Sequence, residues 1–142
     1  MAATSVQFTM ATHIMAALAY QPGRKIPSAQ LAHSVNANAT FVRKSLSKLS
    51  KAGLILTTRG KSGASTLARS PRQITLLDVY RASAAPAAFS IHSYPVEKAC
   101  PISCSFKECM SAVLSRAQGS FEKTLAGITV ADLVGDVRKK SR

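Results

Sequence analysis

IPSAQLAHSVNANATFVRKSLSKLSKAGLILTTRGKSGASTLAR, residues 26–69, reads as helix, turn, basic helix and β-ribbon. Asn36-Ala37-Asn38 is a turn at its centre. Asn tolerates left-handed backbone and caps helices well, so Asn38 is the expected N-cap of a helix over residues 39–52. Val42, Leu46 and Leu49 recur at helical spacing and form its buried face, while Thr40, Lys44, Ser47, Lys48 and Lys51 fall on another. Gly53 stands where a C′ residue ends a helix. Upstream, Ser28 is placed to cap a shorter helix that buries Leu31, Ala32 and Val35. A short helix, a tight turn and a longer basic helix make a helix-turn-helix pattern. Downstream, the apolar and β-branched run 54–58 reads as a strand, 59–64 as a turn with Gly60 and Gly63, and 65–69 as the returning strand. A hairpin directly after a basic helix predicts a winged helix.

This pattern suits double-stranded DNA. The major groove admits a helix, and base edges present distinct donors and acceptors there. Asn38, Thr40 and Lys44 lie toward the helix start, which commonly meets bases. Arg43, Lys48 and Lys51 are placed for phosphates, which give affinity without sequence information, and Ser28 and Ser47 are further expected DNA-binding residues. Arg59 and Lys61 stand at the wing tip, where an arginine can enter a narrow minor groove.

Charge placement supports the same partner. The chain has 142 residues and a net charge of +13. Residues 1–77 contain ten Lys/Arg and no Asp or Glu; from Asp78 onward there are nine Lys/Arg and six Asp/Glu. The front part is thus +10 and the rest +3. A one-sided positive field suits a polyanion. Solubility alone does not require an acid-free half.

Around this stretch the chain reads as helical. Ser5 can cap a first helix carrying Phe8, Ala11, Ile14, Met15 and Leu18, which Gln21-Pro22-Gly23 stops. Residues 24–27 and 70–73 are links. Thr75-Leu76-Leu77-Asp78 is a capping-box-like start, and its helix is expected to end in Ala84-Ala85-Pro86. Residues 89–99, with His92 and Pro95, have no clear period and read as a loop. A long helix, roughly 30 Å, is expected over 105–126. Phe106, Met110, Val113, Ala117 and Phe121, followed by Leu125, give it an apolar stripe suited to dimerisation. Thr129-Val130-Ala131-Asp132 repeats the capping pattern and starts a last helix, followed by a basic tail. The expected fold class is mainly α with a small β-hairpin: a winged helix-turn-helix plus a long C-terminal dimerisation helix. The expected division is a DNA-binding domain over 1–83, a linker and cysteine-containing sensor loop over 84–104, and the dimerisation helix, last helix and tail over 105–142.

No apolar run approaches the ~20 residues of a membrane helix. The first Lys or Arg is Arg24, so the start lacks the basic region of a secretory signal. A soluble cytoplasmic protein is expected. No Ser/His/Asp set, paired carboxylates or phosphate-cradling loop occurs, so an enzyme is not expected. His13 and His33 read as ordinary helix residues.

Cys100, Cys104 and Cys109 cluster within ten residues, an odd set unlike a secreted disulfide framework. Three readings stand beside one another. Cys100 precedes a helix N-terminus near Lys98 and Lys107, surroundings that favour a thiolate, so it can form a sulfenic acid or a disulfide with Cys104 or a partner chain. The three thiols with His92 can ligate a 2Fe-2S cluster or zinc, although Cys109 falls inside the long helix. They can also be small apolar fillers at the dimer seam.

The chain resembles the Rrf-two (Rrf2) family of bacterial winged-helix repressors, which includes the iron–sulfur regulators IscR and NsrR. The matching residues are Lys51-Ala52-Gly53-Leu54-Ile55, Arg59-Gly60, Leu67-Ala68-Arg69-Ser70-Pro71, Ile74-Thr75-Leu76-Leu77-Asp78-Val79 and Thr129-Val130-Ala131-Asp132-Leu133. Ser34-Val35-Asn36-Ala37-Asn38, Asp78-Val79-Tyr80-Arg81 and Ala99-Cys100-Pro101 point to the YwnA-like subgroup. The resemblance implies a homodimer paired through the long helix, a palindromic operator, and DNA-reading roles for Thr40, Lys44 and Arg59. At the wing tip the family has two adjacent glycines where this chain has Gly63-Ala64. Cluster-binding members carry more widely spaced cysteines, whereas the subgroup keeps only the first, matching Cys100, and does not bind a cluster. The expected function is a homodimeric transcriptional regulator, a repressor, under thiol-redox control at Cys100. The alternatives are an iron–sulfur-cluster sensor and a non-specific basic DNA-binding protein.

Overall fold

The computed structural model describes residues 6–58 and 63–142. Helix α1 (Gln7–Tyr20) is followed by the short strand β1 (Ile26–Pro27), then α2 (Ser28–Val35) and α3 (Ala39–Lys51). Strands β2 (Ile55–Thr57) and β3 (Ala64–Leu67) come next, then a 3-10 turn (Pro71–Gln73), α4 (Leu76–Ala82), α5 (Pro101–Ala126) and α6 (Val130–Lys140).

Helix α1 is the centre of the core. Ala11, Ile14, Met15, Leu18 and Ala19 are buried, as the helical spacing requires. Around it pack Leu31 from α2, Val42 and Leu49 from α3, Val79 from α4, and Val130 and Val134 from α6. Fully burying one such side chain contributes roughly 1.5–3 kcal/mol, so this cluster is the main source of stability. The expected cap Ser5 lies outside the described residues. Tyr20 ends the helix, and Gly23 at φ +79 turns the chain.

The sheet has three antiparallel strands in the order β1-β3-β2, one more than the hairpin expected. The link before α2 supplies the third: Ile26 pairs with Ser65 and Pro27 with Ala64. Pro27 lacks an N–H, so it suits this edge position. On the other side Ile55 pairs with Leu67 and Thr57 with Ser65.

Both expected capping boxes form. The Thr75 hydroxyl accepts from Asp78 N at 3.1 Å, and Asp78 accepts from Thr75 N at 3.0 Å. Thr129 and Asp132 repeat this at 3.1 and 2.9 Å. Helix α4 ends at Ser83, and Ala84 takes the left-handed conformation at φ 56.

Two expectations are corrected. The long helix starts at Pro101, not residue 105, because Cys100 is its N-cap and proline suits the first helical position. Cys104 therefore lies in the helix rather than in a sensor loop. Second, α6 is expected with the long helix, apart from the head, but it packs into the head's core. Val130 and Val134 join the core around α1, since α6 buries its apolar stripe there. Among the described residues no helix is long and apolar enough to cross a membrane.

Candidate nucleic-acid interface

Helix α3 is set by its two ends. Asn36 closes α2 in a left-handed conformation, φ 53 and ψ 49, which asparagine tolerates. Two residues later Asn38 caps α3, its Oδ1 accepting from Thr40 N at 2.7 Å. At the far end Gly53 adopts φ +75 and its N–H donates to Ser50 O, turning the chain into β2. Val42, Leu46 and Leu49 hold the helix to the core. Thr40, Phe41, Arg43, Lys44, Ser47 and Lys51 are left exposed.

Between α3, the start of α2 and the β2–β3 hairpin lies a cleft of about 550 Å³. Ser28, Ser47, Ser50, Thr57, Thr58 and Ser65 line it together with Arg43 and Lys51, and among the described residues no carboxylate does. Hydroxyl donors beside cations suit phosphate oxygens. Ser50, Thr57, Thr58 and Ser65 are not among the residues expected at the DNA. The cleft exists only once three separate elements meet, so no local pattern points to these residues.

Several site residues differ from expectation. Ser28 does not cap α2; Pro27 occupies the N-cap and no side chain caps the helix. Ser28 N instead donates to Gly63 O at 3.1 Å, tying α2 to the hairpin and leaving the hydroxyl at the cleft. Asn38 has its carbonyl oxygen engaged in the cap, which leaves its amide NH₂ without a partner in the cap to offer to a base. Lys48 is half-buried and donates to Ser83 O at 3.4 Å, on the flank of α3 away from the hairpin. That contact anchors α3 on the end of α4. Arg59 and Lys61 lie outside the described residues.

The three thiols lie along one helix. Cys100 Sγ accepts from Ser103 N at 3.4 Å. Cys104 is exposed and points back to the carbonyls of Glu97 and Lys98, at 3.8 and 3.7 Å. Cys109 is exposed five residues further on. In a helix that step rises ~7.5 Å and turns well past a right angle. His92 stacks on Tyr94 with centroids 4.8 Å apart. Among the described residues no three His, Cys, Asp or Glu side chains lie together as a metal site. The residues present do not fit a cluster while α5 is intact.

The apolar stripe of α5 is also shifted. Phe121 packs edge-on against Tyr80 in the chain's own core, centroids 5.3 Å apart. Ile102, which the later expected helix start left out, joins Phe106, Cys109 and Val113 on one exposed face. Met110 is half-buried beside it and Ala117 is exposed.

Residues 4–136 match the Rrf2 family, described as "Iron-dependent Transcriptional regulator". The chain belongs to the Rrf2 family. Among curated proteins it is similar to YwnA of Bacillus subtilis (strain 168), named as an HTH-type transcriptional regulator. The two are 31% identical over 129 residues, covering 90% of this chain and 94% of YwnA. Among solved structures it shares its fold with IscR of T. potens, with a TM-score of 0.73 and 22% identity over 99% of this chain and 92% of that one. CymR, the global cysteine regulator of B. subtilis, matches with a TM-score of 0.68 and 23% identity, over 95% of this chain and 98% of CymR. As an Rrf2 protein the chain is a winged-helix, DNA-binding transcriptional regulator and not an enzyme. The expected family, its YwnA-like character and the winged-helix fold all hold.

Proposed function

We propose that this Rrf2 protein works as a homodimer that sets two α3 helices into successive major grooves of a palindromic operator and represses transcription there. The observation that carries the reading is the exposed face of α3. Thr40, Arg43, Lys44, Ser47 and Lys51 stand beside a hydroxyl-lined cleft into which, among the described residues, no carboxylate projects. Thr40 and Lys44 take the bases, and Arg43, Ser47, Lys51 and Ser28 the phosphates. Arg59 and Lys61 are assigned to the wing tip from sequence alone. Pairing through α5 would cover Ile102, Phe106 and Val113, which are 72%, 37% and 53% exposed in the single chain. A 26-residue helix is about 39 Å long, enough to carry such a seam. The reading places the protein in the cytoplasm, beside the DNA it binds.

The proposed switch is Cys100. Its sulfur attacks a peroxide oxygen, the O–O bond breaks, and water leaves with the thiol proton, giving a sulfenic acid. The Cys104 thiol, one turn along, then attacks that sulfur, forming the S–S bond and releasing a second water. The disulfide removes the acceptor of Ser103 N–H and loosens the start of the pairing helix.

The test selects duplexes from a random pool with the reduced protein and sizes the complex. Two protomers on a palindrome are expected, with peroxide weakening binding and Cys100→Ser resisting it. Equal affinity for selected and random duplexes would instead favour a non-specific basic DNA-binding protein. Unchanged binding with Cys100 oxidised would remove the switch.

A further inference from the structure

We propose that Phe41 reads the methyl group of a thymine in the major groove, beside the base met by Lys44. The inference rests on the DNA-reading role of α3 and adds a specificity residue to it. Phe41 lies in the first turn of α3 and is 60% exposed. Val42, Leu46 and Leu49 already seat this helix in the core, and Phe41 is not among the residues packed against that core. A large apolar ring is thus held in water on the most basic helix of the chain.

The surroundings narrow what it can meet. Thr40 precedes it, and the Lys44 ammonium lies 5.9 Å from the ring centroid. A phenyl ring donates and accepts no hydrogen bond, so it gains little from a phosphate or a polar base edge. The apolar group that a base edge presents in the major groove is the C5-methyl of thymine. The first turn of a recognition helix is the part that reaches base edges. Bases stack about 3.4 Å apart along a strand. The 5.9 Å between ring and ammonium therefore places the thymine within about two base pairs of the base that Lys44 contacts. The contact involves no charge, so its contribution is independent of salt, unlike that of Arg43 or Lys51.

The test takes the duplex selected by the full chain and replaces its thymines one at a time by deoxyuridine, which pairs identically and lacks only the methyl. At one position in each half-site the wild-type chain is expected to bind about fourfold more weakly, the factor one buried methyl confers. That ratio should not change with salt. In Phe41→Ala the ratio at that position falls to about one, whereas Phe41→Leu retains part of it. Phe41 is exposed, so both variants are expected to fold, and circular dichroism checks this. A flat deoxyuridine scan overturns the proposal. So does an equal loss in Phe41→Ala, which would assign the methyl contact to Thr40 or Ala39. If no duplex is preferred over random DNA, the reading role of α3 falls, and the Phe41 assignment with it.

Discussion

Thr75 and Thr129 form an antiparallel backbone bridge, and each is the N-cap of the helix that follows it. Leu76 N donates to Ile128 O at 2.8 Å and Val130 N to Ile74 O at 2.9 Å. The starts of α4 and α6 are thereby joined. The last helix is fixed to the DNA-binding head although the long α5 lies between them in the chain.

Thr75→Ala and Thr129→Ala should each destabilise the fold by about 1 kcal/mol, the usual loss of a threonine cap. Because the two helix starts share the bridge, fraying one weakens the other. The double variant is expected to lose less than the sum of the two. Urea denaturation of the four proteins measures this, and strict additivity would show that the bridge does not couple the caps.

Asp132 accepts from the backbone N–H of its capping partner Thr129, and this bond, helped by the nearby Thr129 side chain, holds its carboxyl below the ordinary carboxylate range. A group with a lowered folded-state pKa adds stability above its unfolded value and loses it as pH falls through the folded one. Wild type should therefore lose stability on the acid side of the carboxylate range. Asp132→Asn should be less stable near neutrality and show a flatter acid limb. Thermal melts across that range test the sign.

Tyr80 links the head to the long helix. Its hydroxyl donates to Pro86 O at 2.7 Å and accepts from Gln118 at 3.1 Å, while Gln118 Oε1 accepts from Ala88 N at 3.0 Å. Its ring meets Phe8 and Phe121 edge-on, at 5.4 and 5.3 Å. Tyr80→Phe keeps the ring and removes the hydroxyl, at a cost of about 1–2 kcal/mol. Tyr80→Ala removes both, at about 3–5 kcal/mol. Faster amide exchange over residues 86–91 in Tyr80→Phe would report the released loop.

Ala84 holds a left-handed conformation, φ 56, at the end of α4. A Cβ there costs about 1–2 kcal/mol, and glycine avoids it. Ala84→Gly should therefore stabilise the protein by about 1 kcal/mol, less the extra chain entropy of glycine. A lowered melting temperature would contradict this.

Lys44 and Lys51 should separate on DNA. Lys44→Ala is expected to lose discrimination at one base pair, about 1–3 kcal/mol. Lys51→Ala should weaken specific and random DNA alike and reduce the salt slope by about 0.9. Titrations at several salt concentrations distinguish the two, and equal effects on both kinds of DNA would end the division.

Much of the fold was legible because its signals are local. Asn38, Gly53, Thr75 and Thr129 mark helix ends by their own hydrogen bonds and backbone preferences, and the spacing of Val42, Leu46 and Leu49 turns one face of α3 inward. The start of α5 was missed because Cys100 is an unusual N-cap, although Pro101 after it was a usable sign. The role of Lys48 was not legible, since its partner Ser83 lies on another element. Nor was the burial of Phe121, which Tyr80 draws out of the α5 stripe.

The helix-turn-helix, the hairpin, both capping boxes and the acid-free basic front follow from residue order alone, because composition, periodicity and caps act within a few residues. Only the packed chain shows that β1 completes the sheet, that six hydroxyl-bearing residues and two cations meet in one cleft, and that Phe41 is left outside the core. It also shows that Thr75 and Thr129 meet. Those outcomes depend on which apolar faces find each other, and local spacing carries no record of that choice.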